Sequence, residues 1–464
     1  MNPNHINPDN NVTVAASVAT GLEKVAANEI QEKFPYMDKS DVIVKQGRVY
    51  WKTNRSSLAL AHKLRSIDRM FLIVKTCENY IYKETKEESY ADLVQLAREI
   101  NWSDIVKFWG YNKQYCKGKS RQENLYKKYP KSQAKGNSYC NGDKLDDSPR
   151  EPAKDDILAS SDTEPQEPKK PRTSQNGTPI VPNIAPDGTL VRYRVTTNRV
   201  GKKQPVTSPE ASYRFGGEIQ DITDWQVDLS NYNLEIMLCL GESSLEVAVA
   251  LTLQSLHRRN ITHFGATTLR ATTAYCMLRM CNIQTGELVV DPMCGSGAIP
   301  VEGALEWPNS YHIGGDNTSS ATERCSCNLQ FINENPDFVD GHHEKDKRMN
   351  LRADTIQWDV TCLPLKTNSI DVVVSDLPFG KRVGSKVDNR KLYPALLKEL
   401  ARVTICDSGR ACLLTQDKRT IKRSIDGLHF LWKLKKTQYI NIGGLTAGVF
   451  LLQRTKNNFE DMPS

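Results

Sequence analysis

The chain has 464 residues, which is enough for about three domains. Hydrophobic residues make up 39% of it, so apolar cores can form, yet no apolar run approaches the ~18 residues that a membrane helix needs. These figures exclude a helical membrane protein, and the net charge of +7 is compatible with a polyanionic partner such as RNA.

The cysteines predict free thiols rather than disulfides or a metal site. There are 12 of them, scattered along the chain without a CxxC pair. Cys325 and Cys327 form a lone CxC with no second ligand pair nearby, so we expect no bound metal. The first residues are polar and do not resemble a signal peptide, which favours a cytoplasmic or nuclear location.

Residues 12–78 predict a small domain of strands and helices. An apolar run at 12–18 is followed by apolar residues at helical spacing, then by β-branched and aromatic residues around a Gln46-Gly47 turn. A helix over 57–65 and a strand over 70–74 complete the series. Strand, helix, hairpin, helix and strand in this order are typical of a ferredoxin-like domain.

Residues 79–253 predict a second domain that is interrupted by an insert. An amphipathic stretch at 88–109 is typical of a helix, whereas residues 112–180 are rich in Lys, Asp, Glu, Ser and Pro and are expected to be disordered. The pattern then resumes in further elements, which we predict as a strand at 190–200, a helix at 208–222 and strands at 225–229, 234–240 and 244–252.

Residues 260–456 alternate short apolar strands with helical stretches, which predicts an α/β, Rossmann-like domain with a mainly parallel sheet. The chain ends differently, because residues 431–442 and 448–454 face each other across Gly443 and Gly444 and predict an antiparallel hairpin. The five strands before it are predicted at 288–291, 311–316, 355–360, 370–376 and 410–414.

A glycine-rich turn directly follows the first of these strands. The sequence Asp291-Pro-Met-Cys-Gly-Ser-Gly297 allows the backbone to approach a ligand closely, and a nucleotide-like ligand lies naturally at such a strand-to-helix connection. A glycine-rich turn without a ligand is the alternative, and the preceding strand favours the binding site. The residues assigned to the cofactor here are Asp291, Pro292, Cys294, Gly295 and Gly297.

Acidic residues follow the next two strands. Asp316, with Asn317 beside it, stands at the tip of the second strand, where a carboxylate can accept hydrogen bonds from both hydroxyls of an adenosine ribose. Asp359 and Val360 follow the third strand and are the expected neighbours of the adenine edge. Asp354 is a competitor for that contact, and the sequence alone leaves the choice open.

The fourth strand ends in Asp376-Leu377-Pro378-Phe379, which looks like the (Asn/Asp)-x-Pro-(Phe/Tyr) signature of amino-methyltransferases that use S-adenosylmethionine (SAM). An exocyclic amine on a base is a poor nucleophile, because its lone pair is delocalised into the ring. A carboxylate at Asp376 and a carbonyl near Leu377 can accept the amino hydrogens, while Pro378 holds the loop and Phe379 stacks on an extruded base. A plain strand-ending turn is the alternative.

Basic residues near these features are candidates for contacts with RNA phosphates, although a solvated loop explains each one about equally well. Two of them follow the fourth strand and four lie on or after the strand predicted at 190–200. They are Lys381, Arg382, Arg192, Arg194, Lys202 and Lys203.

The three motifs, in their order and behind these N-terminal regions, make the chain similar to the THUMP-domain tRNA guanine-N2-methyltransferases. The resemblance implies a class I SAM methyltransferase fold after an N-terminal ferredoxin-like plus THUMP α+β region. It also implies transfer to the N2 amine of a guanosine in the tRNA acceptor stem, at position 6. One departure is Leu377, where bacterial and archaeal relatives have a first proline; vertebrate members share it.

The same resemblance implies two partners. The THUMP region would hold the 3′ end of tRNA, so that the active site reaches a fixed distance into the stem. A small zinc-containing methyltransferase activator subunit would form a heterodimer with the chain.

Two other functions stay open. One is an amino-methyltransferase that acts on another RNA base, which the catalytic motif alone does not distinguish. The other is a non-catalytic tRNA-binding scaffold. The retained acids and glycines of all three motifs argue against the scaffold, and SAM binding measured by calorimetry would separate it from the enzymes.

Overall fold

The computed structural model describes residues 12–115, 184–185, 188–201, 203–339, 350–380 and 386–462. The described chain forms two sheets, one of eight strands built from residues 12–250 and one of seven strands built from residues 288–454. None of its helices is both long and apolar enough to cross a membrane.

The first sheet begins with the predicted strand–helix–hairpin–helix–strand series, which is confirmed. The strands pair in the order β2-β3-β1-β4, all antiparallel, as in a ferredoxin-like unit. The second helix is a single turn instead of the nine residues expected at 57–65. The elements are β1 (Val12–Ser17), α1 (Glu23–Lys33), β2 (Ile43–Lys45), β3 (Arg48–Thr53), α2 (Leu58–Ala61) and β4 (Arg69–Glu78).

The helix expected at 88–109 is two helices, α3 (Lys86–Glu99) and α4 (Trp102–Asn112), so that prediction was wrong in its continuity. Ile100 adopts an extended backbone, and the Asn101 side chain caps the next helix by accepting from the Asp104 amide at 3.3 Å. A 3-10 turn at Lys113–Tyr115 follows. The first residues of the expected insert at 112–180 therefore belong to helical turns, and residues 116–180 lie outside the described residues.

The remaining elements of the first sheet confirm the predicted series, except that the strand at 225–229 is only two residues long. They are β5 (Arg192–Arg199), α5 (Ser208–Thr223), β6 (Gln226–Val227), β7 (Leu234–Leu240) and β8 (Ser244–Ala250). A capping box between Thr207 and Glu210 starts α5. Because β8 pairs with β4 along seven residues, the two regions expected as separate domains share one continuous sheet.

The second sheet confirms the Rossmann-like prediction. Its strand order is β11-β10-β9-β12-β13-β15-β14, in which β9 to β13 are parallel and the last two strands form the predicted antiparallel hairpin. The order reverses between β9 and β12, where open α/β sheets bind their ligands. The strands are β9 (Leu288–Asp291), β10 (Tyr311–Asp316), β11 (Ala353–Gln357), β12 (Val372–Asp376), β13 (Arg410–Thr415), β14 (Trp432–Ile442) and β15 (Leu445–Arg454).

Within the described residues, five helices pack around this sheet. They are α6 (Ala271–Met280), α7 (Ala298–Glu306), α8 (Ser319–Glu334), α9 (Lys386–Val403) and α10 (Lys418–Gly427). The third strand was expected to extend to residue 360, but it ends at Gln357. The Trp358 amide makes the last bond to β10, to the Asp316 carbonyl at 3.0 Å, and a turn at 359–362 follows. The Trp358 side chain is buried, and its indole N–H donates to the Pro292 carbonyl at 3.1 Å.

Buried charges join the two sheets beside the glycine-rich turn. Arg65 donates from Nε and Nη2 to Glu302 Oε2 at 3.0 and 2.8 Å, and Asn260 Nδ2 donates to Glu302 Oε1 at 2.8 Å. Glu302 lies on α7, which begins directly after Gly297. This contact therefore fixes the helix behind the turn against the N-terminal sheet.

Candidate active site

The glycine-rich turn connects β9 to α7 in a conformation that its glycines permit. Gly295 and Gly297 have φ angles of +54° and +85°, which other residues rarely adopt. A Cβ on Gly297 would lie 2.5 Å from Cys325 Sγ, whereas one on Gly295 would meet no atom within 4 Å. The turn thus packs against α8 at Gly297 and leaves space beside Gly295 for a ligand.

Asp316 lies against this turn, as the sequence predicts for the tip of β10. Its Oδ2 accepts from the Gly295 amide at 3.1 Å and its Oδ1 from the Thr318 amide at 3.0 Å. The Cys294 amide donates to the Gly315 carbonyl at 2.7 Å, which joins the turn to the same strand end. Asn317 is exposed beside them. A carboxylate with free lone pairs therefore borders the space beside Gly295.

Asp359 lies at the same edge of the sheet, and Asp354 does not. Asp354 pairs with Ile313 inside the sheet and accepts from the Tyr311 hydroxyl at the amino end of β10. Asp359 is exposed beyond the carboxyl end of β11, where hydrogen bonds from the Thr361 amide and hydroxyl hold its pKa below the ordinary value. Asp359, and not its competitor Asp354, therefore lies at the edge of the sheet where the adenine contact was expected.

Trp358 connects that edge to the glycine-rich turn. A Cβ on Gly315 would lie 1.9 Å from the Trp358 ring, so the indole occupies a place that only glycine leaves open. Its hydrogen bond reaches Pro292, and Val360 is buried in the core beyond it. The predicted residues Pro292 and Val360 are thus structural neighbours of the turn, with their side chains packed instead of exposed.

Asp376 ends β12 beside the turn, with one carboxylate oxygen enclosed. Its Oδ1 is buried and has no hydrogen-bond partner among the described residues. Burial raises the pKa of Asp376 well above its ordinary value, and the nearby charge of Asp291 raises it further. An enclosed acceptor without a partner costs free energy, so its persistence is typical of a site that receives a donor from a ligand.

Asp291 is buried behind Asp376. Its Oδ1 accepts from the Ser375 hydroxyl at 2.8 Å and from the Met293 amide at 3.2 Å. Desolvation nevertheless raises the pKa of Asp291 to about 7, because these two hydrogen bonds only partly compensate for burial.

Replacing Asp291 by Asn is expected to stabilise the ligand-free protein above neutral pH. Between pH 3.8, the ordinary pKa, and about 7, the folded state retains a proton that the unfolded chain has released, so stability falls as pH rises. The Asp291→Asn variant has no carboxyl group at this position, so its stability does not fall in this way as pH rises. At pH 8 its free energy of unfolding should exceed that of the wild type by about 1–3 kcal/mol. Urea denaturation at pH 5 and pH 8 measures the difference, and an identical pH dependence of both proteins would contradict it.

Two residues on α9 hold the predicted catalytic loop, which is formed by residues 376–379 after β12. The sequence analysis missed both of them. The Tyr393 hydroxyl donates to the Pro378 carbonyl at 2.7 Å, and Asn389 Nδ2 donates to the same oxygen at 3.1 Å. Both side chains are buried. Their spacing of four residues places them on one helix face, which was the available signal. The Pro378 carbonyl is therefore already engaged, and the acceptor predicted beside Asp376 is the carbonyl near Leu377.

A third missed residue is Asn328, which is buried on α8. It accepts from the Thr262 and His263 amides, both at 2.9 Å, and donates to the Ser296 carbonyl at 2.8 Å. Asn328 therefore holds the segment before α6 against the glycine-rich turn. His263 takes part in this connection through its backbone amide.

The predicted RNA contacts differ in how much charge they present. Arg192 and Lys203 are exposed. Arg194 donates to Glu235 Oε1 at 2.7 Å and lies 3.9 Å from the centre of the Tyr232 ring, so its charge is largely compensated. The other three candidates, Lys202, Lys381 and Arg382, lie outside the described residues.

Known proteins share the methyltransferase region and nearly the whole sequence. A family described as "RMKL-like, methyltransferase domain" matches residues 258–447. The "tRNA (guanine(6)-N(2))-methyltransferase THUMP3" of Bos taurus is 40% identical, over 97% of this chain and 89% of the relative. The Homo sapiens protein of the same name is 38% identical over 97% and 89%.

Solved structures agree with the fold over the same extent. TrmN from Thermus thermophilus superposes with a TM-score of 0.63 at 18% identity, covering 96% of this chain and 99% of that one. SMU.472, described as a putative methyltransferase complexed with SAH, gives a TM-score of 0.59 at 16% identity, covering 95% and 97%. Since the THUMP3 relatives match in both identity and coverage, the chain belongs to the family of THUMP3 tRNA (guanine(6)-N(2))-methyltransferases.

Proposed function

We propose that this protein transfers the methyl group of SAM to the N2 amine of the guanosine at position 6 of tRNA, in the acceptor stem. The relatives carry this activity in their names. The observation that carries the proposal is the enclosed Oδ1 of Asp376, which has no partner in the part of the chain that the structure describes and lies at the switch point of the sheet, next to the glycine-rich turn.

Asp376 and the loop after it activate and orient the amine. Asp376 Oδ1 accepts one amino hydrogen and the Leu377 carbonyl accepts the other, which localises the nitrogen lone pair. The raised pKa of Asp376 makes its carboxylate a better acceptor for the proton that the amine loses after transfer. The ring of Phe379, which is partly exposed, stacks on the extruded base. Bound SAM supplies a methyl group on a sulfonium, which is ready for in-line attack.

The residues around the glycine-rich turn fit SAM. The open side of Gly295 admits a ligand to the backbone, and Asp316 offers carboxylate oxygens to ribose hydroxyls. Asp359 borders the adenine edge, while buried Val360 and Pro292 shape the wall that Trp358 completes. Cys294 is buried with a pKa raised by its neighbour Cys325 and by burial, so it lines the turn as a neutral thiol.

Asp316→Ala should weaken SAM binding by about 1–3 kcal/mol, because a hydrogen-bonding carboxylate is lost from the cofactor site. Isothermal titration calorimetry measures the change. Asp354→Ala is the matched control, since it removes an acid at the opposite end of the same strands and should leave the affinity unaltered. An unchanged dissociation constant in Asp316→Ala would remove Asp316 from the site.

One assay tests the reaction itself. The purified protein, with and without the activator subunit, is incubated with labelled SAM and unmodified tRNA, and the nucleosides are analysed by mass spectrometry. N2-methylguanosine is the expected product. Methylated adenosine would move the activity to another base, and tRNA binding without any product in either condition would favour the non-catalytic scaffold.

The N-terminal sheet is proposed to be the tRNA-holding part, with the domains at 12–78, 79–253 and 260–456. Arg192 and Lys203 are exposed on the part that we assign to a THUMP domain, where they can contact phosphates. The buried Arg65–Glu302 contact keeps this sheet at a fixed distance from the active site, as measuring along an acceptor stem requires.

A small zinc-containing activator subunit is the second proposed partner. β11 is one of the two edges of the second sheet and pairs only with β10 within the described residues, so it offers free backbone groups. Ile356 is exposed on β11. A groove of about 330 Å³ runs between β11 and α8. Co-purification of the two chains measures the association.

The described cysteines are free thiols, consistent with the cytoplasmic or nuclear location that we propose.

A further inference from the structure

A second cavity lies beside the catalytic loop, apart from the glycine-rich turn. Its volume is about 380 Å³, within the range of roughly 300–1,000 Å³ that is usual for small-ligand pockets. Its walls come from the catalytic loop, the connection after β13 and the turn of the terminal hairpin. The lining residues are Phe379, Gln416, Asp417, Lys418, Arg419, Leu445 and Thr446.

The strand pairing brings Gln416 and Asp417 next to Asp376. Asp376 is paired with Leu414 on the parallel strand β13, so Gln416 and Asp417 follow at the same carboxyl edge of the sheet. Phe379, the residue expected to stack on the base, lines the cavity with them. The cavity that Gln416 and Asp417 line is therefore next to Asp376, within reach of a base whose amine is held there.

Each of these two cavity-lining side chains has a buried polar atom that lacks a partner among the described residues. Asp417 Oδ1 accepts from the Thr420 amide at 3.2 Å and caps α10, but its Oδ2 is buried with no partner among the described residues. Gln416 Nε2 is likewise buried and has no partner among the described residues. One atom is an acceptor and the other a donor, and each costs free energy until a ligand supplies its complement.

A guanine that offers its N2 amine to Asp376 presents N1–H, a donor, and O6, an acceptor, next along the same edge. A carboxylate accepts from N1–H, and an amide N–H donates to O6. Adenine has a lone pair at N1, which a carboxylate repels. We propose that Asp417 and Gln416 form the specificity pair that reads guanine, with Asp417 Oδ2 accepting from N1–H and Gln416 Nε2 donating to O6.

This inference rests on the proposed function, and it deepens it by naming what selects the base. The neighbouring side chains suit a nucleotide. Lys418 Nζ lies 5.2 Å from the centre of the Tyr439 ring, and Arg419 is exposed at the rim, so that positive charge is available for the phosphate of the extruded nucleotide.

The test compares tRNA transcripts that carry guanosine or 2-aminopurine at position 6. 2-Aminopurine keeps the reacting 2-amino group but has no O6 and has a lone pair instead of a hydrogen at N1. For the wild-type protein with its activator, kcat/KM for guanosine should exceed that for 2-aminopurine by ~10²-fold or more, because buried reading groups reject an edge that leaves them without partners.

Two variants separate the roles of the pair. Asp417→Asn still caps α10, but its amide can donate to N1 of 2-aminopurine, so kcat/KM should fall ~10²-fold for guanosine and rise for 2-aminopurine. Gln416→Leu should lower kcat/KM for guanosine ~10-fold and leave 2-aminopurine unaltered. Asp426→Asn makes the same chemical change at an exposed position on α10 outside the cavity and should behave as the wild type.

The outcomes distinguish this inference from the function on which it rests. If the wild type methylates guanosine and 2-aminopurine equally, or Asp417→Asn keeps the full wild-type preference, the specificity pair is wrong and the proposed function stands. If the wild type with its activator binds tRNA but methylates neither base, the proposed function fails first. Thermal melting of each variant checks that a loss of activity is not a loss of folding.

Discussion

Asp376→Ala is expected to lower kcat/KM for tRNA methylation by ~10³-fold or more, since the variant loses the acceptor that polarises the amine and takes its proton. The affinities for SAM and for tRNA should stay close to those of the wild type, because the role proposed for Asp376 involves the amine and not the ribose or the phosphates. Single-turnover methylation together with calorimetry measures both properties. Full turnover by the variant would remove Asp376 from the mechanism.

Asp376→Asn separates the two roles of the carboxylate. Its amide oxygen still accepts a hydrogen bond from the amine, but it takes up no proton at ordinary pH. Since burial raises the pKa of Asp376, wild-type activity should fall as pH drops through that raised pKa, and this limb of the pH profile should be missing in the Asn variant. Either variant removes a buried acid whose Oδ1 has no hydrogen-bond partner among the described residues, so neither should melt below the wild type.

Glu302→Ala should lower the free energy of unfolding by about 3–5 kcal/mol, because it leaves the buried guanidinium of Arg65 without its closest anion. Asn260 Nδ2 loses its acceptor in the same variant. Glu306 is the remaining anion, 3.8 Å from Arg65 Nε, and it compensates only in part. Denaturation by guanidinium chloride, followed by circular dichroism, measures the loss.

Glu32→Ala is the matched control for that experiment. Glu32 also bridges the two sheets by an ion pair with Arg279, but its side chain is 68% exposed, so its removal should cost roughly 0–1 kcal/mol. If both variants lower the free energy of unfolding by the same amount, burial does not make the Arg65–Glu302 pair more important for stability than the exposed pair.

The sequence determined which residues stand at the ends of strands. Asp291, Asp316 and Asp376 each follow a short apolar run, and parallel strands bring such ends to one edge, so the cofactor turn and the catalytic loop were found from local patterns alone. The same holds for the terminal hairpin, whose strands flank two glycines. Such features depend on neighbours in the chain, which a sequence displays directly.

The tertiary structure decided what depends on contacts between distant segments. Whether Asp354 or Asp359 borders the turn follows from strand register, and the support of Pro378 by Tyr393 follows from the packing of α9. Likewise, β4 and β8 merge two expected domains into one sheet because their edges meet. Gln416 and Asp417 carry no motif, and only the parallel pairing of β12 with β13 places them beside Asp376. Local patterns fix which face or end a residue occupies, but strand order and register determine what it meets there.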